Sequence, residues 1–383
     1  MIKSWDMKNR KPENPFPITT YLGSEYFCNR EEETAKLIGN MQNGSSTTLI
    51  AVRRMGKTGL LHHTLSHLPN GWLGIYTDIL ESENLNQFLS LLATSVINAN
   101  PGKRNLGKKL GEFIKSLRPQ ISFDTLTGIP QVSFDIRPNE IPTNIGHVFQ
   151  YLEKQDFKTI VAIDEFQQIL NYPEKNTEAW LRSRIQQLKN VVFIFSGSQQ
   201  HLMTEIFNSP KRPFFRSTLM IKLEKLDKTE YVEFIVSLFR RYGKEIDPAT
   251  AEEILEWSNN HTYYVQQVCN RVFAATPEKA KAKNWQMQAY MLLKEQETVF
   301  FNYRNMLTNS QWRLLKAIAH EEVVHQPTSK EFLNKFQLGT SATVLRSLKT
   351  LLGYELVYFD FDPEGMKYYS VYDVFFQRWI QKT

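Results

Sequence analysis

Three observations predict an α/β protein with a buried parallel sheet, followed by an all-helical domain and a domain of three helices plus a hairpin. Apolar, β-branched runs of strand length alternate with helical segments up to about residue 225. From Asp227 the strand pattern gives way to helices alone, and from Thr308 three short helices precede two strand-like runs. A length of 383 residues suits this division, because a domain of roughly 100–200 residues buries its own core. The expected boundaries are 1–225, 226–302 and 303–383.

Each element has a local reason. After an arm punctuated by Pro12, Pro15 and Pro17, Asn29 to Met41 reads as a helix, with Asn29 as N-cap and Glu31, Glu32 and Glu33 at the positive end of its dipole. Thr47 to Val52 is a strand that breaks into a loop at Arg53, and a helical pattern then runs through Leu65. Further strands are Trp72 to Thr77, Thr159 to Ile163 and Val191 to Phe195; the helices among them are Asn84 to Asn98, Thr143 to Lys154 and Thr177 to Leu188. Unbroken apolar strands alternating with helices suit a sheet covered on both faces. The alternation between Ile121 and Ile141, with Gly128, Pro130 and Pro138, reads as a surface hairpin.

The second domain has helices at Lys228 to Tyr242, Pro248 to Ser258 and Tyr263 to Ala275, with Pro248 in a favoured first turn. The third has helices at Ser310 to His320, Thr328 to Phe336 and Ser341 to Leu351. Leu356 to Phe361 and Tyr368 to Tyr372 follow, joined by Asp362-Pro363-Glu364-Gly365, in the order of a winged helix-turn-helix.

Composition narrows the class. Hydrophobic residues at 42% and charged residues at 22% exclude disordered and fibrous chains. No apolar run approaches the ~20 residues of a membrane span, and the N-terminus MIKSWDMKNRKP lacks a signal core, so neither membrane nor export is expected. Two cysteines, Cys28 and Cys269, are too few for a disulfide framework and fit a reducing cytoplasm. Between Ala99 and Gln120, six cations (Lys103, Arg104, Lys108, Lys109, Lys115, Arg118) face one acid, Glu112, so this stretch holds +5 of the net +6. The segment from Tyr303 onward, with ten Lys and Arg against eight Asp and Glu, is nearly neutral.

Ala51-Val52-Arg53-Arg54-Met55-Gly56-Lys57-Thr58 follows G-x-x-x-x-G-K-[ST] with Ala in place of the first Gly, between a strand and a helix. Such a loop turns backbone N–H groups toward one point at a helix N-terminus, which suits ATP or ADP phosphates. Lys57 reaches the β- and γ-phosphates, Thr58 holds Mg²⁺, and Gly56 lets backbone approach phosphate without a Cβ. Ala51, Arg53, Arg54, Met55 and Gly59 complete the expected nucleotide-binding set. A second signal is the strand Ile160-Val161-Ala162-Ile163 ending in Asp164-Glu165. Asp164 is the expected Mg²⁺ carboxylate and Glu165 the residue that polarises the attacking water. Ser196 and Ser198, after the strand Val191 to Phe195, lie where ligands gather in open α/β sheets; a helix-capping turn is the other reading.

These motifs, with Phe27-Cys28-Asn29-Arg30-Glu31-Glu32-Glu33, Ile163-Asp164-Glu165-Phe166-Gln167 and Phe195-Ser196-Gly197-Ser198, resemble the archaeal-type AAA+ ATPases of the STAND-like group, similar in architecture to origin-recognition initiators. The likeness runs from Tyr21 to Ile380 and includes His261-Thr262-Tyr263-Tyr264-Val265-Gln266 and the ending Tyr369-Ser370-Val371-Tyr372-Asp373-Val374-Phe375-Phe376-Gln377-Arg378-Trp379. It implies a RecA-like AAA+ P-loop core, a helical lid and a winged helix, with Mg-ATP binding and hydrolysis as a conformational switch. It also implies that Arg216 is an arginine finger or sensor; an ordinary surface or ion-pairing Arg is the other reading. The alternative function is a nucleic-acid-binding regulator, or a protein-interaction switch, whose nucleotide is structural. DNA would engage the winged helix, through Arg346 and Lys349, or the basic stretch 99–120; acids at Asp360, Asp362 and Glu364 oppose phosphate at the wing. Departures from the family pattern are Ala51 and the lid turn Asn260-His261-Thr262. On the helix after the loop stand His62, His63 and His67; His63 and His67 have metal-ligand spacing, but the three read as a solvated helix face.

Overall fold

The computed structural model describes residues 11–99, 119–123, 130–134 and 141–382. They divide into two compact units, one of Thr19–Leu226 and one of the described residues of 1–18 and 227–383.

The first unit is built on a five-stranded parallel sheet in the order β2-β5-β6-β1-β7. Its strands are β1 (Thr47–Ile50), β2 (Trp72–Asp78), β5 (Lys158–Asp164), β6 (Val191–Gly197) and β7 (Leu219–Lys222). The helices are α1 (Glu31–Gln42), α2 (Lys57–Ser66), α3 (Leu85–Asn98), α4 (Ile141–Glu153), α5 (Thr177–Ile185) and α6 (Gln200–Asn208), with a 3-10 turn at Phe166–Asn171. Period-two alternation sorts the strand residues onto two cores. Ile160, Ala162 and Ile194 join Leu37, Met41, Leu60 and Leu61 on the face of α1 and α2. Val161, Ile163, Phe193 and Phe195 join α3, α4 and α6 on the other.

On that second face, Phe166 lies 4.5 Å from Phe195, 5.8 Å from Phe207 and 5.5 Å from Phe214, ring centre to ring centre. Each such buried ring contributes about 1.5–3 kcal/mol. The cluster fixes the residues just after β5, where the chemistry is expected. The hairpin appears as β3 (Pro119–Phe123) against β4 (Pro130–Phe134), antiparallel and in its own sheet. Residues 100–118 of the basic stretch lie outside the described residues.

Several expectations shift. The first helix is capped by Arg30, not Asn29: Asn29 has φ of 29°, and Arg30 donates to Glu33 at 2.7 Å and to the Glu224 carbonyl at 2.8 Å. Strand β7 was not expected, because an edge strand with Leu219 49% exposed carries no continuous apolar signal.

The second unit contains α7 (Lys228–Arg241), α8 (Pro248–Trp257), α9 (Thr262–Ala275), α10 (Ala282–Met306), α11 (Asn309–Glu321), α12 (Lys330–Phe336), α13 (Ser341–Gly353) and α14 (Val374–Lys382). The two-residue strands β8 (Glu245–Ile246) and β9 (Lys279–Ala280) pair in parallel. The hairpin is β10 (Val357–Phe361) with β11 (Lys367–Val371), extended by a bridge from Val324 to Tyr369. Helix α10 was not expected and runs unbroken through residues 302 and 303, where a boundary was placed. The N-terminal arm belongs here too. Phe16 is buried against Phe239 and Phe273; Asn14 Nδ2 donates to the Asn270 carbonyl at 2.9 Å, and Asn270 Nδ2 donates to the Phe16 carbonyl at 2.8 Å.

Candidate functional site

The strand β1, which runs into the loop 51–56 and the N-terminus of α2, lies in the same parallel sheet as β5 and β6. Gly56, the N-cap of α2, has φ of 94°, a left-handed conformation that glycine adopts without the strain of a Cβ. The N–H groups of a helix's first turn lack intrahelical acceptors and carry the positive end of the dipole, which suits an anion. Arg54, exposed, also has a positive φ of 65°. Ala51 and Met55 are buried in the core under α1 and α2, so backbone alone represents them at the site. Gly59 has a packing reason: a Cβ there would stand 3.1 Å from the Phe27 ring.

Lys57 is buried, and among the described residues its ammonium has no hydrogen bond or ion pair. Burial lowers its pKa, with Glu165 and Asp164 opposing that fall and Arg53 adding to it. A buried ammonium without an acceptor costs several kcal/mol until an anion meets it.

Thr58 Oγ1 donates to Asp164 Oδ2 at 2.7 Å, and the Tyr76 hydroxyl donates to the same oxygen at 3.1 Å. Parallel pairing places Asp78 of β2 opposite Asp164 of β5. The Tyr76 phenol is pushed well above its ordinary pKa by burial first and by Asp164 second, so it is a permanent donor. Thr58 is solvent-exposed whereas Asp164 is buried, so one hydroxyl and one carboxylate meet at the edge of solvent. That oxygen pair fits Mg²⁺.

Glu165 follows with φ of 56°. Its Oε2 accepts from Gln167 Nε2 at 2.5 Å and from the Ser198 hydroxyl at 2.8 Å. Arg53 Nε in turn donates to Ser198 Oγ at 3.3 Å, linking the loop to Glu165.

The structure thus brings Lys57, Thr58, Asp164, Glu165, Ser198 and Arg53 together. Ser196 is not among them: its hydroxyl is fully buried in β6 with no hydrogen-bond partner among the described residues. Arg216 is exposed, with its guanidinium 5.1 Å from the Phe215 ring centre. The sequence left Gln167 and Tyr76 without roles; the turn after β5 brings Gln167 to Glu165, and strand pairing brings Tyr76 to Asp164. His67 is exposed, as a solvated face requires, but His62 and His63 are partly buried. His62 packs 4.4 Å from the Tyr76 ring and His63 4.6 Å from Phe27, with Tyr21 OH 2.9 Å from His63 Nδ1. No group of three or more His, Cys, Asp or Glu residues that could hold a metal occurs among the described residues. Nor is any described helix long and apolar enough to cross a membrane.

In the second unit, α11, α12, α13 and the hairpin form the expected winged helix. Two of the wing's acids are engaged: Asp360 Oδ1 accepts from Phe361 N at 2.8 Å, and Asp362 Oδ1 accepts from Met366 N at 2.7 Å. Lys367 lies over Phe359, 3.8 Å from the ring centre.

The sequence matches the family model described as ATPase domain predominantly from Archaea over residues 27–268, and that of a probable winged helix domain over 298–382. No curated protein matches it. Among solved structures, a Walker-type ATPase of Pyrococcus abyssi superposes with a TM-score of 0.66 at 17% identity, covering 96% of this chain and 99% of that one. The Aeropyrum pernix ORC2 protein, in ADPNP-ADP complexes, gives 0.53 at 13% identity over 99% and 98%. The Aeropyrum pernix ORC1 protein in complex with DNA gives 0.52 at 10% identity over 97% and 96%. At these identities the likeness concerns the fold.

Proposed function

From the premise that the chain belongs to the family of ATPase domains found predominantly in Archaea, we propose that it hydrolyses Mg-ATP and that nucleotide state acts as a conformational switch. The observation that carries this reading is the buried, acceptorless Lys57 ammonium beside the Thr58–Asp164 contact.

The phosphates lie against the backbone of residues 51–58, with Lys57 neutralising the β- and γ-groups. Thr58 and Asp164 would hold Mg²⁺, which when bound offsets charge on the transferring phosphoryl group. Glu165 takes the proton of a water whose oxygen bonds to the γ-phosphorus in line, while the bond from that phosphorus to the bridging oxygen breaks and ADP leaves. Ser198 orients Glu165, and its link to Arg53 ties that orientation to loop occupancy. Arg216 is the proposed transition-state arginine, exposed so that a second protomer can receive it. Cys28 and Cys269, both buried and neither in a disulfide among the described residues, fit a reducing cytoplasm.

Lys57→Ala and Glu165→Gln test the reading with purified protein. Lys57→Ala should abolish ATP binding; Glu165→Gln should retain ATP and lose turnover. Unchanged ATP affinity in the first variant overturns the assignment of the loop.

A second reading, DNA as a partner of the winged helix, draws support from the wing itself: Asp360 and Asp362 are tied into backbone contacts, leaving Arg346 and Lys349 of α13 as cations to meet phosphate. Affinity for duplex DNA should then fall steeply with salt. No affinity at low salt would turn the reading to a protein partner.

A further inference from the structure

Glu165 presents two unlike oxygens. Oε2 accepts from Gln167 Nε2 at 2.5 Å, Ser198 Oγ at 2.8 Å and Ser198 N at 3.4 Å. Oε1 has no hydrogen bond among the described residues. The residue is held by its backbone as well, in a left-handed conformation between β5 and the 3-10 turn.

Gln167 is 5% exposed, and its own Oε1 is buried without a hydrogen-bond partner among the described residues. A Cβ at Gly197 would overlap that oxygen and the Met203 thioether, so the amide is confined from the side of β6. An orphaned buried acceptor costs about 1–3 kcal/mol. A side chain needed only for packing would avoid that cost as Met, which has nearly the same shape. What the amide adds over Met is an NH₂ donor group, and its hydrogen bond among the described residues goes to Glu165.

We infer that Gln167 is a positioning residue for hydrolysis: its Nε2 immobilises Oε2 of Glu165 so that Oε1 points at the attacking water. A base fixed in one rotamer spends no reorganisation at the moment of attack, and small misplacements of such groups cost rate more than binding. The inference rests on the reading of Glu165 as the base.

The test compares wild type with Gln167→Met, Gly197→Ala, Glu165→Gln and Glu165→Gln/Gln167→Met in the full chain, measuring ATP affinity, kcat, KM, single-turnover rate and thermal midpoint. Gln167→Met keeps the volume and removes the donor; Gly197→Ala displaces the amide without removing it. Both should lower kcat by about 10–100-fold, the range typical of supporting hydrogen bonds around a reactive group, and leave ATP affinity within about twofold. Adding Gln167→Met to Glu165→Gln should change nothing further, because Gln167 acts only through the carboxylate. Where a lowered midpoint shows that Gln167→Met is poorly folded, Gly197→Ala carries the comparison. A kcat for Gln167→Met within twofold of wild type, with Glu165→Gln inactive, overturns the inference and leaves Glu165 as the base. Full turnover by Glu165→Gln overturns both. An equal loss from Gln167→Met in both backgrounds shows a merely structural residue.

Discussion

Thr58 and Asp164, 106 positions apart in the chain, share a hydrogen bond of 2.7 Å. Each ends a local signal that is readable alone, a strand-loop-helix and an apolar strand with terminal acids. Their contact follows from β1 and β5 lying on either side of β6 in one parallel sheet.

The pair predicts how nucleotide binding depends on Mg²⁺. Thr58→Ala and Asp164→Asn should each raise the Mg²⁺ concentration that half-saturates nucleotide binding by at least about tenfold, while metal-free affinity changes far less. Titration of a fluorescent ATP analogue against Mg²⁺ measures it, and an unaltered Mg²⁺ requirement in both variants excludes the pair as the metal site.

Tyr76 should act on the same site from behind. Its hydroxyl is a permanent donor to Asp164 Oδ2, so Tyr76→Phe frees that oxygen to rotate without opening a cavity. The expected loss is about tenfold in Mg²⁺ affinity, as for other partners that orient metal ligands. A Tyr76→Phe protein with wild-type Mg²⁺ dependence would show the bond to be incidental.

The sequence made the first of these residues legible and hid the second for a physical reason. Thr47 to Thr58 and Lys158 to Asp164 are contiguous, and their patterns state strand, loop and helix. Tyr76 and Gln167 acquire meaning only through neighbours the fold brings up, Asp164 across β2–β5 for Tyr76, and Ser198 and Gly197 at the end of β6 for Gln167 and the Glu165 it holds. Helix α10 escaped notice because Met287, Tyr290, Met291 and Phe301 are about half exposed, which blurs the apolar stripe that marks an amphipathic helix. The histidines of α2 looked solvated because Tyr21 and Phe27, which cover them, come from some forty residues earlier.

Arg378 should be a stability determinant of the second unit. From α14 it donates to the carbonyls of Trp257 (2.7 Å) and Glu256 (3.2 Å) and to Asn259 Oδ1 (2.7 Å), and it pairs with Glu322. One planar guanidinium thus closes the end of α8 and joins the helical segment to the winged helix. Arg378→Ala should cost about 2–4 kcal/mol by leaving those acceptors unmet, and Arg378→Lys should recover little, since an ammonium lacks the fork. Calorimetry of the full chain should show the transition of this unit lowered by on the order of 5–10 °C in both variants; full recovery by Lys would refute the role of geometry.

The histidines of α2 give the first unit an acid limit. Burial is the main cause that lowers the pKa of His62 and of His63 below the ordinary 6.5, with Asp164 opposing it at His62 and Glu31 at His63. A group whose folded pKa is depressed binds fewer protons in the native state than in the unfolded chain over the interval between the two values. Stability therefore falls as pH drops through 6.5 toward the folded pKa, and it is fully present above 6.5. The thermal midpoint of the Thr19–Leu226 unit should decline between about pH 7 and pH 5.5, and the slope should flatten in His62→Asn/His63→Asn, whose side chains take up no proton there. An equally steep decline in the double variant would assign the acid sensitivity to other groups, because these two rings would then be titrating alike in the folded and unfolded chain.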